Sequence, residues 1–99
     1  MKIRKTLTNG VLTLEIDGRI DTMTAPELDE ELKQSVTKNV KSLILDFAKV
    51  EYMTSAGIRV IMSAEKVMAK QGQMKLIHVN NLINEIFDMM GLTELLVIE

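Results

Sequence analysis

The chain has 99 residues, 46% of them hydrophobic and 26% charged, which suits one domain with a packed core and argues against disorder. Twelve basic against fourteen acidic side chains leave a formal net charge of −2. No basic patch for nucleic acid is visible, and the absence of cysteine excludes disulfides, thiolate metal sites and a cysteine nucleophile.

Asn9-Gly10 opens the series of predicted elements. Asn-Gly supplies the positive φ angles of a two-residue hairpin turn. Centred there, strands over about 2–8 and 11–16 pair so that Leu7 faces Leu12, Lys5 faces Leu14 and Ile3 faces Ile16. Thr6 meets Thr13 and Arg4 meets Glu15 on the other face. A helix is expected from Thr24, where Thr24-Ala25-Pro26-Glu27 reads as a capping box and Leu28, Leu32 and Val36 form a stripe. Ser42 to Phe47 is a short apolar run, expected as a central strand buried on both faces. A second helix is predicted from about Ser55 to Gln71, ended by Gly72 in the left-handed region.

Met74 to Val79 reads as a fourth strand, and Asn80 or Asn81 caps a short helix that stops at Gly91. Leu95 to Ile98 completes the series as a last strand. The expected fold is therefore α/β: one domain, a mixed and mostly parallel sheet behind an N-terminal hairpin, and three helices. Parallel strands send the segments after them to one end of the sheet, where open α/β sheets place their binding sites. Asp21 and Thr22, Thr54 and Ser55, and Asn80 should gather there.

Weighed singly, most candidate groups have ordinary explanations. His78 is the only histidine, without a second metal ligand, and reads as a structural residue within the fourth strand. Glu27, Asp29, Glu30 and Glu31 favour the start of a helix. Met62, Met68, Met89 and Met90 read as core by default, with a partly exposed subset as the alternative, an adaptable surface for a partner. Ser55 reads as an N-cap residue, and Ala56 and Gly57 beside it are small enough for a partner backbone to approach. No apolar run reaches the roughly 18–20 residues of a membrane span. No signal-peptide pattern precedes the first strand, so a cytoplasmic location is expected.

Residues 43–62, Leu-Ile-Leu-Asp-Phe-Ala-Lys-Val-Glu-Tyr-Met-Thr-Ser-Ala-Gly-Ile-Arg-Val-Ile-Met, resemble the central signature of STAS domains, specifically bacterial anti-sigma factor antagonists. Gly18-Arg19-Ile20-Asp21-Thr22 with Ala25-Pro26-Glu27-Leu28 resembles the family's other recognisable stretch. The resemblance implies a binding module, neither enzyme nor cofactor protein. Such a module engages an anti-sigma factor serine kinase of the GHKL type, releases a sigma factor, and is switched off when that kinase phosphorylates one serine. A PP2C-type phosphatase would reset it; no membrane or direct nucleic-acid partner is implied. By position the serine is Ser55, with Thr54 as competitor, because Thr54-Ser55-Ala56-Gly57 stands where the family often has Asp-Ser-Ser-Gly. Asp21, Thr22, Thr54, Ser55, Ala56, Gly57, Arg59 and Asn80 are the expected partner-binding residues, with no catalytic or metal site. A STAS scaffold in another signalling complex is the alternative. An enzyme or nucleotide-binding protein using the Asp21–Ser55–Asn80 end lacks an identifiable base beside Ser55.

Overall fold

The structure, a computed structural model, describes residues 1–99. Asn9 and Gly10 have φ of 52° and 79°, the left-handed pair that a type I′ turn demands. They join β1 (Lys2–Thr8) to β2 (Val11–Asp17) in the register expected, Leu7 opposite Leu12 through Ile3 opposite Ile16. The remaining elements are α1 (Ala25–Ser35), β3 (Ser42–Lys49), α2 (Ser55–Ala69), β4 (Gln73–Ile77), α3 (Asn81–Met89) and β5 (Val97–Ile98). The five strands form one sheet in the order β1-β2-β3-β4-β5. Only the hairpin pair is antiparallel.

That order has a direct consequence. Right-handed crossovers between strands that always advance in one direction place every helix on the same face. The core accordingly lies on one side only. Leu12, Leu14 and Ile16 of β2, Leu43, Leu45 and Phe47 of β3, and Met74 and Leu76 of β4 are buried there against Leu28, Leu32, Ile58, Ile61, Met68, Ile83 and Phe87 of the helices. The opposite face carries Thr13, Ile44, Asp46, Lys75 and Ile77, all only partly covered. β3 is thus buried on one face and half-open on the other, unlike the doubly buried strand expected from its sequence. Nor does the strand order reverse anywhere, so the sheet has no switch-point crevice.

Four local expectations need correction. Thr24 precedes α1, but its hydroxyl makes no capping bond to the helix. It donates instead to the Arg19 carbonyl at 2.6 Å and accepts from the Asp21 N–H at 2.9 Å. Gly72 does not adopt positive φ; glycine is needed because a Cβ would lie 1.9 Å from the Lys41 carbonyl oxygen. His78 falls just beyond β4 with φ 58° and a side chain 62% exposed. A left-handed turn there ends the strand two residues earlier than its composition suggests. Met89 and Met90, finally, are 86% and 52% exposed, because the buried side of α3 is set by Ile83 and Phe87. Gly91, at φ 70°, stops α3 as expected. No helix is long and apolar enough to cross a membrane.

Candidate functional site at the C-terminal end of the sheet

Three loops meet where β2, β3 and β4 end. The loop after β2 is bound to the loop after β3 by a parallel bridge between Ile20 and Met53. Its bonds are Ile20 N–H to Tyr52 O at 3.1 Å and Thr54 N–H to Ile20 O at 2.9 Å. The loop after β4 is tied in by Asn80, whose amide nitrogen donates to the carbonyls of Val50 at 3.2 Å and Glu51 at 3.1 Å. Asn80 Oδ1 meanwhile accepts the Ile83 N–H at 2.8 Å and caps α3. Asp21, Ser55 and Asn80 therefore share one end of the molecule, although Asn80 holds the scaffold with every polar atom of its side chain.

α2 starts at this end. Its N-cap residue is Thr54, one position before the residue expected, and Ser55 is the first helical residue. The first bond of the helix runs from Ile58 N–H to Thr54 O at 3.1 Å. The N–H groups of Ser55, Ala56 and Gly57 thus precede the intrahelical ladder, in the positive end of the helix dipole. The two hydroxyls differ sharply in access. Ser55 is exposed, while Thr54 Oγ1 is buried without any hydrogen-bond partner.

Gly57 is buried rather than presented to a partner. A Cβ on it would lie 2.5 Å from Ile20 Cγ2 and 2.8 Å from Met53 Cγ. Glycine therefore lets α2 begin directly over the bridge that joins the two loops. Alanine ordinarily favours a helix interior over glycine by about 0.8–1.0 kcal/mol. Here the clash with two fully buried side chains should reverse the sign, at about 1–3 kcal/mol of destabilisation. Urea denaturation of Gly57→Ala should show a lowered midpoint with little change in slope. A raised midpoint would contradict this packing.

Asp21 is a loop builder as much as a surface charge. Its Oδ1 accepts the N–H groups of Met23 at 2.9 Å and Thr24 at 3.0 Å. The Thr24 N–H bond above all holds the carboxyl below its ordinary value, against the opposing effect of partial burial, with Met23 N–H, the Thr24 hydroxyl and Arg19 assisting. Arg19, absent from the expected partner-binding residues, has Nε 4.0 Å from Asp21 Oδ2 and its guanidinium 5.7 Å from the centre of the Tyr52 ring. Tyr52 is 38% exposed and Met23 85% exposed at the same end. An apolar residue in a loop, with no periodicity to assign it to a core, was the available clue to Met23. Thr22 is exposed there too, and Arg59 is exposed one helical turn beyond Ser55. The end is thus polar and mixed in charge, with Arg19 beside the carboxylate that the sequence alone makes look dominant and Arg59 on the helix that starts there.

The chemistry available is limited and specific. An exposed serine at a helix start can accept a phosphoryl group, but a nucleophilic serine needs a base within hydrogen-bond reach. The only histidine is engaged elsewhere: His78 Nδ1 lies 2.9 Å from Asp46 Oδ1 on the open face of the sheet. Burial pushes the Asp46 carboxyl up, but the bonds from His78 and the Ala48 N–H outweigh it and leave it below its ordinary value. No group of three or more His, Asp or Glu residues gathers in a way that would hold a metal ion.

Comparison with known proteins fits this geometry. BtrV of Bordetella bronchiseptica, which bears the name anti-sigma factor antagonist, is 28% identical over 92 residues, spanning 92% of this chain and 79% of that protein. RsfB of Mycobacterium tuberculosis, an anti-sigma-F factor antagonist, is 37% identical over 60 residues, which are 60% of this chain and 49% of RsfB. The crystal structure of an anti-sigma factor antagonist from Mycobacterium paratuberculosis superposes with a TM-score of 0.88 at 20% identity, covering 98% of this chain and 83% of that one. The model of the STAS domain family matches residues 2–99, and with the sheet order and the shared end of its loops this chain belongs to the STAS domain family.

Proposed function

We propose that the protein is an anti-sigma factor antagonist that binds an anti-sigma factor serine kinase in its unmodified form and is inactivated by phosphorylation of Ser55. The observation that carries this reading is the contrast at the start of α2, where the Ser55 side chain is exposed and the neighbouring Thr54 hydroxyl is buried. A kinase docked on this end reaches one hydroxyl and not the other. In the transfer, Ser55 Oγ bonds to the γ-phosphorus of ATP as the bond to the ADP oxygen breaks, and the hydroxyl proton passes to a base of the kinase.

Phosphoserine adds about −1.5 to −2 charge at pH 7. At the first residue of α2 that charge meets free N–H groups and the dipole, worth roughly 0.3–1 kcal/mol. Arg59, four residues on, adds a cation on the same helical surface. The fold therefore tolerates the modification. The loss of function lies at the interface, where a partner's carboxylates face the new charge across a desolvated contact and Asp21 adds negative charge from the same end. Exposed Met23 and Tyr52 provide the apolar anchors of that contact, a role for which bulky side chains are suited. The kinase is of the GHKL type in this proposal, and a PP2C-type phosphatase restores Ser55.

Isothermal calorimetry with the anti-sigma factor serine kinase of the same organism tests the reading. The unmodified chain should bind, and Met23→Ala with Tyr52→Ala should weaken binding by about 1–4 kcal/mol in total. No heat and no complex by gel filtration with the unmodified protein would overturn it.

A further inference from the structure

The other end of the molecule, where β3 and β4 begin and α1 and α2 finish, carries a different surface. Lys38, Lys41, Lys66 and Lys70 surround one concavity that also contains Val67 and Gln71. All four lysines are exposed. The ion pairs of the chain lie elsewhere, on Lys5, Arg19, Lys33, Lys75 and His78. In a chain of net charge −2 this is a local excess of uncompensated positive charge. The helix dipole accounts for cations on the last turns of α2, but Lys38 and Lys41 belong to the loop that leads into β3. That loop is held in place: Gln71 Nε2 donates to the carbonyls of Thr37 and Val40, both at 2.7 Å.

Val67 also lines an adjoining groove of about 230 Å³ between α1 and α2, where Leu32, Val36, Val60 and Ala64 are joined by the paired Asp29 and Lys33. Val67, 47% exposed, therefore links an apolar groove to a ring of lysines. We propose that this groove and its lysine rim dock an acidic, amphipathic segment of a partner protein, with apolar side chains in the groove and carboxylates on the lysines. The recessed apolar strip is what selects a protein segment. Single-stranded nucleic acid needs aromatic faces for its bases, and none lines this surface. A bilayer is entered by protruding apolar side chains, whereas these lie between two helices. The lysine rim stands at the opposite end of the sheet from Ser55, so its occupation is compatible with a second partner bound at the Ser55 end.

Amide NMR of the full chain, titrated with a peptide of repeated Glu-Glu-Leu-Leu, tests the proposal. Resonances of Val36, Lys38, Lys41, Val67 and Lys70 should move while those of Ile20 and Ser55 stay in place. Lys66→Gln with Lys70→Gln should weaken binding at least tenfold, and Val67→Ser severalfold, in proteins whose melting is unchanged. Ser55→Ala and Ser55→Glu should bind the peptide like wild type. The proposal is overturned if the peptide leaves these resonances unmoved, or if poly-glutamate, a single-stranded RNA or phosphatidylserine vesicles bind as tightly as the amphipathic peptide. It is also overturned if Val67→Ser has no effect. None of these results bears on the Ser55 end, which the kinase titration tests separately.

Discussion

Incubated with its anti-sigma factor kinase and ATP, the wild-type chain should take up a single phosphoryl group on Ser55, and Ser55→Ala should take up none. The reason is access. Ser55 is exposed at the first position of α2, whereas Thr54 Oγ1 is buried beside it without a hydrogen-bond partner. Removing the Ser55 hydroxyl should leave the fold almost untouched, since no capping bond depends on it and exposed substitutions usually stay within about 0.5 kcal/mol. Thr54→Val should be phosphorylated like wild type and should be at least as stable, because it removes an unpaired buried hydroxyl at little change of shape. Mass spectrometry of tryptic peptides reads the site, and urea denaturation reads the stability. Phosphate on Thr54, or on a folded Ser55→Ala protein, would show that the acceptor is another hydroxyl.

Ser55→Glu should raise the dissociation constant for the kinase ten- to a hundredfold, roughly 1.4–2.8 kcal/mol, without loss of fold. Like charges pressed together in a desolvated interface cost several kcal/mol. Glutamate delivers part of that, because it carries less charge than phosphoserine. Its own fold should gain slightly, since an anion at the start of α2 meets the positive end of the dipole. Two features of the structure moderate the effect. Arg19 lies beside Asp21, and Arg59 stands one turn beyond Ser55, so the end is less acidic than Asp21 alone suggests. Salt should weaken the difference between wild type and variant only in part, as it screens exposed charges over about 8 Å at physiological ionic strength and desolvated ones much less. Calorimetry at low and high salt, with thermal melts of both proteins, separates charge repulsion from unfolding. Equal binding by both proteins at low salt contradicts the charge mechanism, and a collapsed melt assigns the effect to unfolding.

The parts of this fold that were legible in the sequence are those fixed by neighbouring residues. Asn9-Gly10 dictates a turn type, the turn dictates the register, and the register carries Ile3 to Ile16 and Arg4 to Glu15. The convergence of Asp21, Ser55 and Asn80 followed from parallel crossovers alone. What escaped depends on atoms distant in the chain. Gly72 reads as a left-handed helix stop until the Lys41 carbonyl, thirty-one positions away in sequence, is seen against it. Thr24 reads as a cap, but its hydroxyl donates to the Arg19 carbonyl instead. Ile44, between two buried leucines, suggests a strand covered on both faces, and only the monotonic strand order leaves its side open. The cap of α2 is Thr54 where the sequence suggests Ser55, and Ser55 is the first helical residue. That difference decides which hydroxyl is buried, so it matters more to function than to fold.

Release of a sigma factor tests the central claim most directly. A fluorescently labelled sigma factor, held by the anti-sigma kinase, is titrated with this protein either unmodified or quantitatively phosphorylated on Ser55, and free sigma factor is read by anisotropy. The unmodified protein should displace the sigma factor in a saturable manner, and the phosphorylated protein should need at least tenfold more to do so. Failure of the unmodified protein to displace it, or equal displacement by both forms, would contradict an antagonist switched at Ser55.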